Sequence, residues 1–290
     1  NSLIIMGGDC QKFYKHSLPK TKKINVIVFA GGSGTNTILK YLKKIELFEI
    51  YLIINGYDDG LSTGYLRSKI PQFLGPSDFR KNASVLLDEE NYNESALKKI
   101  LDLRFSSKEL NEKIKKDLEE IISTNISEDN KIYKYFANID LNNYLKLKLA
   151  LEYFLSFLKK ENINFQYTDC SLGNIIIAGL FIKNNFDFNR AIDDLNDLIQ
   201  SRHKLLNVTN GENLFLSALL EDGTFLDNES KIVSYTGDNF IKEVFLTKNN
   251  DDNIKISLEK LKTLDEKINF LRSQETLPKI NNFLKDKIKN

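Results

Sequence analysis

The chain of 290 residues has no tryptophan, one methionine, two cysteines and two histidines. Cys10 and Cys170 stand far apart and make neither a disulfide framework nor a zinc pattern. Two thiols accord with a reducing, cytoplasmic setting. With His16 and His203 the only imidazoles, a histidine-rich metal centre is excluded. Neither sign of charge dominates: 41 Lys and Arg face 40 Asp and Glu, a formal +1. The global basic footprint of a nucleic-acid binder is therefore missing. Apolar runs such as IIIAGLFI (175–182) fall far short of the roughly 20 residues of a spanning helix, and no secretory signal is evident. Neither a nucleic acid nor a membrane is an expected partner. What is present, 41% hydrophobic and 28% charged residues, suits a folded α/β protein with a sizeable core.

Residues 24–29, INVIVF, read as a buried parallel strand running into glycine. Ile38, Leu39, Leu42 and Ile45 then recur at helical spacing over 35–44, and residues 50–54, IYLII, form a second strand. This order is the βαβ unit of a doubly wound, mostly parallel, Rossmann-like sheet. Residues 2–9 read as another strand entering a glycine turn, which suggests a piece of something longer. Residues 56–82 are rich in Gly, Asp, Ser and Pro and read as a long loop with one short helix at 64–70. Residues 94–161 turn helical, with Leu110, Ile114, Leu118 and Ile121 on one face after a Ser106-Ser107 start signal. The 141–160 segment reads as a helix buried on most sides. Asp187 is a plausible N-cap for the stripe from Phe188 to Ile199. Residues 204–210, 213–220 and 242–247 look like strands, with a hairpin turn at Asp222-Gly223. Leu258, Leu261, Leu264, Ile268 and Leu271 mark a late helix, and Pro278 is expected to open a last one.

The turn Gly31-Gly32-Ser33-Gly34-Thr35 has two readings. Glycines before a helix let backbone N–H groups approach a phosphate, or they simply make a tight strand–helix turn. No Gly-Lys-Ser/Thr follows, so it is not a Walker loop, and Thr37 stands where Gly-x-Gly-x-x-Gly needs its third glycine. The second strand ends in Asn55 rather than an acidic residue. Both points weigh against a pyridine-nucleotide oxidoreductase. Asp58-Asp59-Gly60 has three readings: solvated turn-formers, Mg²⁺ ligands, or a base. Arg67 and Arg80 suit bidentate phosphate clamps or an ordinary surface. Ser171 and Asn174 suit helix capping or a base or ribose contact. Cys170 reads as a buried structural cysteine, and His203 as a surface or helix-end residue.

Four stretches occur in order: FAGGSG, GYDDGLSTGYLR, GPSDFRKN and CSLGNIIIAGL. Together they resemble the 2-phospho-L-lactate transferase (CofD-like) family, more closely its bacterial gluconeogenesis-factor (YvcK-like) branch. The resemblance implies a doubly wound α/β domain over 24–290 that binds a nucleotide-diphosphate conjugate, with 94–161 as a helical insertion. Residues 1–23 would be an extension or the end of a preceding segment. It implies a transferase of a phosphate-linked group from a guanosine-diphosphate donor with Mg²⁺, or alternatively a non-catalytic UDP-sugar-binding regulator of carbon metabolism and cell-wall synthesis. Gly31, Gly32, Ser33, Gly34 and Thr35 would hold the diphosphate. Asp58 and Asp59 would bind Mg²⁺ or act with Arg80 in catalysis. Ser62, Thr63, Gly64, Arg67, Asp78, Ser171, Gly173 and Asn174 would complete the ligand site. A homo-oligomer fits the same picture. Departures are Leu61 for a glycine, Tyr65 for an arginine, Ser77 for a glycine and Cys170 for a histidine. The family's later strand and Gly-Pro-Gly-Ser/Thr loop are missing after residue 247, so the resemblance implies a fragment or an incomplete cleft.

Overall fold

A computed structural model of the protein describes residues 3–5, 23–31, 34–106, 108–123, 125–248 and 252–289. Strands β1 (Leu3–Ile5), β2 (Ile24–Ala30), β3 (Phe48–Ile54) and β4 (Lys204–Asn207) form a parallel sheet in that spatial order. Helix α1 (Asn36–Leu42) links β2 to β3. Between β3 and β4 lie α2 (Leu61–Lys69), α3 (Ser77–Leu86), α4 (Tyr92–Asp102) and α5 (Asn111–Ile122), then α6 (Tyr133–Phe136), α7 (Leu141–Lys160), α8 (Leu172–Lys183) and α9 (Phe188–Ile199). A second, antiparallel sheet, ordered β6-β5-β7, is built from β5 (Phe215–Leu220), β6 (Phe225–Leu226) and β7 (Ile241–Thr247). Helix α10 (Glu229–Val233) lies between β6 and β7, and α11 (Asp252–Glu259), α12 (Leu264–Gln274) and α13 (Asn282–Lys289) follow.

The expected βαβ unit is present, but the described parallel strands lie side by side in chain order. The reversal of strand order that defines a doubly wound sheet is not seen among them. Alternating side chains supply the two faces of the sheet. Val26, Val28, Ile50, Leu52, Ile54 and Leu205 join the main core with the helices that precede β4. Ile27, Tyr51, Ile53 and Leu206 point the other way and pack on Leu284 of α13. Ala30 pairs with Ile54, so β2 and β3 end level and their outgoing loops start side by side.

Two side chains finish the sheet edge. Asn196 on α9 accepts from the Leu205 N–H at 2.8 Å and donates to the Leu205 carbonyl at 2.9 Å. It supplies the pairing that a fifth strand would otherwise offer, and so blocks the edge. His203 is buried, not the surface residue expected: its Nδ1 accepts from the Ile50 N–H at 3.1 Å, and Nε2 lies 3.3 Å from the Lys43 carbonyl. The Ile50 bond fixes the tautomer with the proton on Nε2.

Other local expectations hold. Asp187 caps α9 through the Arg190 N–H, and Gly223 takes φ +83° in the β5–β6 hairpin. Several shift. The 56–82 segment contains two helices, α2 and α3, because Pro76 precedes the first turn of α3 rather than merely punctuating a loop. α5 begins at Asn111, and Leu110 is exposed as its N-cap. Thr263 and Glu266 form a capping box that divides the late helix into α11 and α12. Pro278 opens no helix. Its neighbours Lys279 and Asn281 hydrogen-bond to Asn210 and Val208, and α13 starts afterwards.

The α7–α8 contact depends on Gly179, where an added Cβ would run into the Ala150 carbonyl. Gly179→Ala should lower stability by about 3 kcal/mol or more in urea melts, because two packed helices must separate. Burial holds His203 down to about 4, against an ordinary value of 6.5. The unfolded chain then binds the extra proton first, so this residue's contribution is intact above pH 6.5 and is lost as pH falls toward 4. Stability measured across that window should fall less steeply in His203→Gln than in the parent.

Candidate functional site

The loops leaving β2 and β3 are joined through α3. Asn82, one turn past Asp78, donates Nδ2 to the Gly31 carbonyl at 3.1 Å and to the Asp78 carbonyl at 2.8 Å. At the start of the same helix, Ser77 Oγ accepts from Asn174 Nδ2 at 3.0 Å and lies 2.5 Å from Thr63 Oγ1. Thr63 Oγ1 donates to Asp58 Oδ2 at 3.3 Å. A carboxylate end and an amide end allow one donor order: Asn174 to Ser77, Ser77 to Thr63, Thr63 to Asp58. Four segments remote in sequence thus meet, and three of the four are tied by one hydrogen-bonded chain.

The acidic pair is internally satisfied. Asp58 Oδ1 accepts the Gly60 N–H at 3.0 Å, closing an Asx turn. Asp59 Oδ1 accepts the Glu229 N–H at 3.1 Å, and the Ser230 N–H also bonds to this carboxylate, so Asp59 holds the start of α10. Burial raises the Asp59 carboxyl above its ordinary value, with Arg67 opposing. Burial likewise raises Glu229, and Asp58, Asp59 and Asp78 add to it. Glu229 is a site residue that sequence reading missed. Its only trace was an Asn-Glu step after a hairpin, an ordinary helix start.

Both arginines are held by groups of the chain itself. Arg67 is 7% exposed. Its Nη1 donates to the Tyr57 and Asp58 carbonyls, each at 3.2 Å, and Nη2 to Asn213 Oδ1 and the Leu214 carbonyl at 2.8 and 2.7 Å. The guanidinium also stacks on Phe215, 4.6 Å from the ring centre. Arg80 pairs with Asp102 at 2.7 Å, and Ser84 holds the other carboxylate oxygen. Burial lowers both guanidinium pKa values.

The motif glycines serve close approach. A Cβ at Gly64 would meet the Asp59 carbonyl, one at Gly75 the Asp58 carbonyl, and one at Gly173 the Leu101 carbonyl and the Arg80 stem. At Gly31 and Gly34, by contrast, no described residue comes near the place where a Cβ would stand. Gly32 and Ser33 lie outside the described residues. Ser171 caps α8 through the Asn174 N–H, so Asn174 itself lies inside the helix. Cys170 is buried and its thiol is pushed up to about 12, as expected of a structural cysteine. Asp78 pairs with Lys81, and Ser62 is half-buried in the first turn of α2.

Several buried polar atoms around α3 have no partner among the described residues: Thr35 Oγ1, Asn36 Oδ1, Asn82 Oδ1, Asn174 Oδ1 and Arg80 Nε. Unpaired buried atoms are uncommon in a folded chain. Three of these five are amide oxygens, which accept hydrogen bonds.

A family model described as 2-phospho-L-lactate transferase CofD matches residues 26–266. The chain belongs to this family. Among curated relatives it is 27% identical over 244 residues to a gluconeogenesis factor of Halalkalibacterium halodurans, covering 84% of this chain and 55% of that protein. It is 26% identical to a putative gluconeogenesis factor of Streptococcus pneumoniae, covering 80% of this chain and 52% of the relative. A solved Bacillus halodurans structure is 23% identical with a TM-score of 0.51, covering 81% of this chain and 55% of that one, a likeness of fold alone. The chain spans about half the length of these relatives. No helix among the described residues is long and apolar enough to cross a membrane.

Because one ammonium cannot reach four acceptors, Arg67→Lys should cost about 2–4 kcal/mol of unfolding free energy, read by urea denaturation.

Proposed function

We propose that this CofD-family chain binds a nucleotide-diphosphate conjugate at the paired ends of β2 and β3, as a UDP-sugar-binding regulator of carbon metabolism and cell-wall synthesis. The names of its relatives, gluconeogenesis factor and putative gluconeogenesis factor, favour this over the transferase suggested by the family's description. The observation that supports it most is the set of buried, unpartnered amide oxygens on Asn36, Asn82 and Asn174. Phosphate oxygens need donors. Amide oxygens need N–H or O–H groups, which a uracil ring and sugar hydroxyls supply in number. The diphosphate falls to the main chain of residues 31–35 and to the Thr35 hydroxyl.

The acidic pair supports binding better than chemistry. Asp58 and Asp59 already accept hydrogen bonds from Gly60, Thr63 and α10. No three His, Cys, Asp or Glu side chains are grouped to hold a metal among the described residues. The side chains present do not make a Mg²⁺ site of their own. In this reading Asp58, Asp59 and Arg67 shape the loop, and Asn174, Asn82 and Thr35 meet the ligand.

Calorimetry and thermal shift with UDP-sugars and GDP conjugates, each with and without Mg²⁺, test this. A UDP-sugar at about 100 times its dissociation constant should add about 2.7 kcal/mol of stability. Asn174→Leu should abolish that gain, and long incubation should leave the sugar nucleotide intact. Turnover of a GDP or UDP conjugate that is lost in Asp59→Asn would overturn the regulator reading in favour of the transferase. Saturation with neither class would end both.

A further inference from the structure

A groove of about 860 Å³ lies between α5, the end of α7 and residues 162–167. None of its lining residues belongs to the site described above. Its volume falls in the roughly 300–1,000 Å³ range of small-molecule sites. The 141–160 helix is not buried on most sides: Leu141 and Leu145 are 71% and 53% exposed, and Ser156 and Lys159 border this groove.

Tyr167 lines the groove and is 2% exposed, yet its hydroxyl has no hydrogen-bond partner among the described residues. A buried tyrosine hydroxyl ordinarily finds one. Burial raises its pKa, and the Glu119 and Glu112 carboxylates add to the shift. Both carboxylates line the same groove, which places the hydroxyl on the groove side of the ring. Glu112, Lys115, Glu119 and Lys159 are exposed along the rim, and none is in an ion pair among the described residues. Two carboxylates and two ammoniums sum to zero, so the rim favours neither a polyanion nor a polycation. The carboxylates accept hydrogen bonds, the ammoniums donate them, and the exposed amides of Asn162 and Asn164 do both. Half-buried Ile122 and Ile163 add an apolar patch.

We propose that this groove binds a neutral saccharide, with the Tyr167 hydroxyl as its buried anchor. A sugar hydroxyl donates and accepts at one oxygen, so it fits a wall that offers both. Sugar rings also carry C–H faces suited to the isoleucine patch. A phosphate would bring its charge against Glu112 and Glu119. The wall is held in place before a ligand arrives. Asn111 donates Nδ2 to the Phe165 carbonyl at 2.9 Å and accepts the Tyr167 N–H at 2.7 Å. Tyr65 Oη accepts the Gln166 N–H at 3.0 Å, and its ring lies 5.1 Å from that of Phe165. Tyr65 is one of the departures from the family pattern, and in this chain that position of α2 holds the groove's loop.

Calorimetry and ligand-observed NMR on the whole chain, with glucose, maltose and N-acetylglucosamine as probes, test this. At least one should bind with a dissociation constant below about 10 mM. Tyr167→Phe and Glu119→Gln should each weaken it about fivefold to tenfold, the loss of one hydrogen bond. Gluconate and spermidine, probes of either charge, should bind more weakly than that sugar. Saturating UDP should leave the sugar's affinity unchanged, because the strand ends lie elsewhere. Binding of none of the three sugars overturns the proposal. So does binding that ignores both substitutions, displacement of the sugar by UDP, or tighter binding of either charged probe. Tyr167→Phe removes one oxygen from a packed ring, and Glu119 is exposed, so Glu119→Gln keeps the question answerable if Tyr167→Phe fails to fold.

Discussion

The hydrogen-bonded chain from Asn174 through Ser77 and Thr63 to Asp58 is the constraint on which the site depends. Its members come from α8, α3, α2 and the loop after β3. Asn174, Ser77 and Thr63 are all buried, so each link must be made or a polar group is left unpaired out of water. Only one donor order makes all three links. That order fixes which face of the Asn174 amide is used up and which is left over. The leftover oxygen is one of the unpartnered acceptors around α3. The binding chemistry proposed for this region is thus a remainder of the packing chemistry: what the fold does not satisfy internally is what a ligand is asked to satisfy.

The motifs that mark the family divide in two once their surroundings are known. Gly64, Gly75 and Gly173 admit carbonyl groups that any side chain would displace. Arg67 closes four acceptors from two segments. These residues build the site without facing into it. Gly31 and Gly34 are different, since none of the described residues occupies the space a side chain would take there. A pattern of letters does not distinguish a glycine needed by a neighbouring carbonyl from a glycine needed by a ligand. Only the position of the neighbour does.

Much of the fold was legible because its signals are local. Two β-branched runs around a glycine turn gave β2, α1 and β3. Asp222-Gly223 gave the hairpin, and Asp187 gave the start of α9. Four ordered motifs gave the family. What was not legible depends on distant partners. α3 hides behind a Gly-Pro-Ser-Asp stretch, and its short stripe of Phe79, Ala83 and Leu86 is buried in the main core, with α1, α4 and α9 packed against the helix. His203 looked like a surface residue because its partners, Ile50 and Lys43, lie some 150 positions away. The outer face of α7 looked like core because leucine spacing records amphipathicity, not which apolar face finds a partner inside the same chain. The four acceptors of Arg67 were not legible either, because they come from two segments remote in sequence.

The same bonds explain why a ligand at the strand ends need not be turned over to matter. The acidic loop is tied to the antiparallel sheet region at two points. Arg67 reaches Asn213 and Leu214 just before β5, and Asp59 holds Glu229 and Ser230 at the start of α10, between β6 and β7. A change in the loop's conformation must therefore move, strain or release residues that flank the second sheet. A ligand shifts such a balance only by the difference in its affinity for the two arrangements. Unpaired buried acceptors beside the loop are suited to create that difference, because their cost is present in the free protein and removed in the bound one. Asp58 and Asp59 each accept hydrogen bonds that hold their own chain together, and the proposed regulator reading uses them as joints.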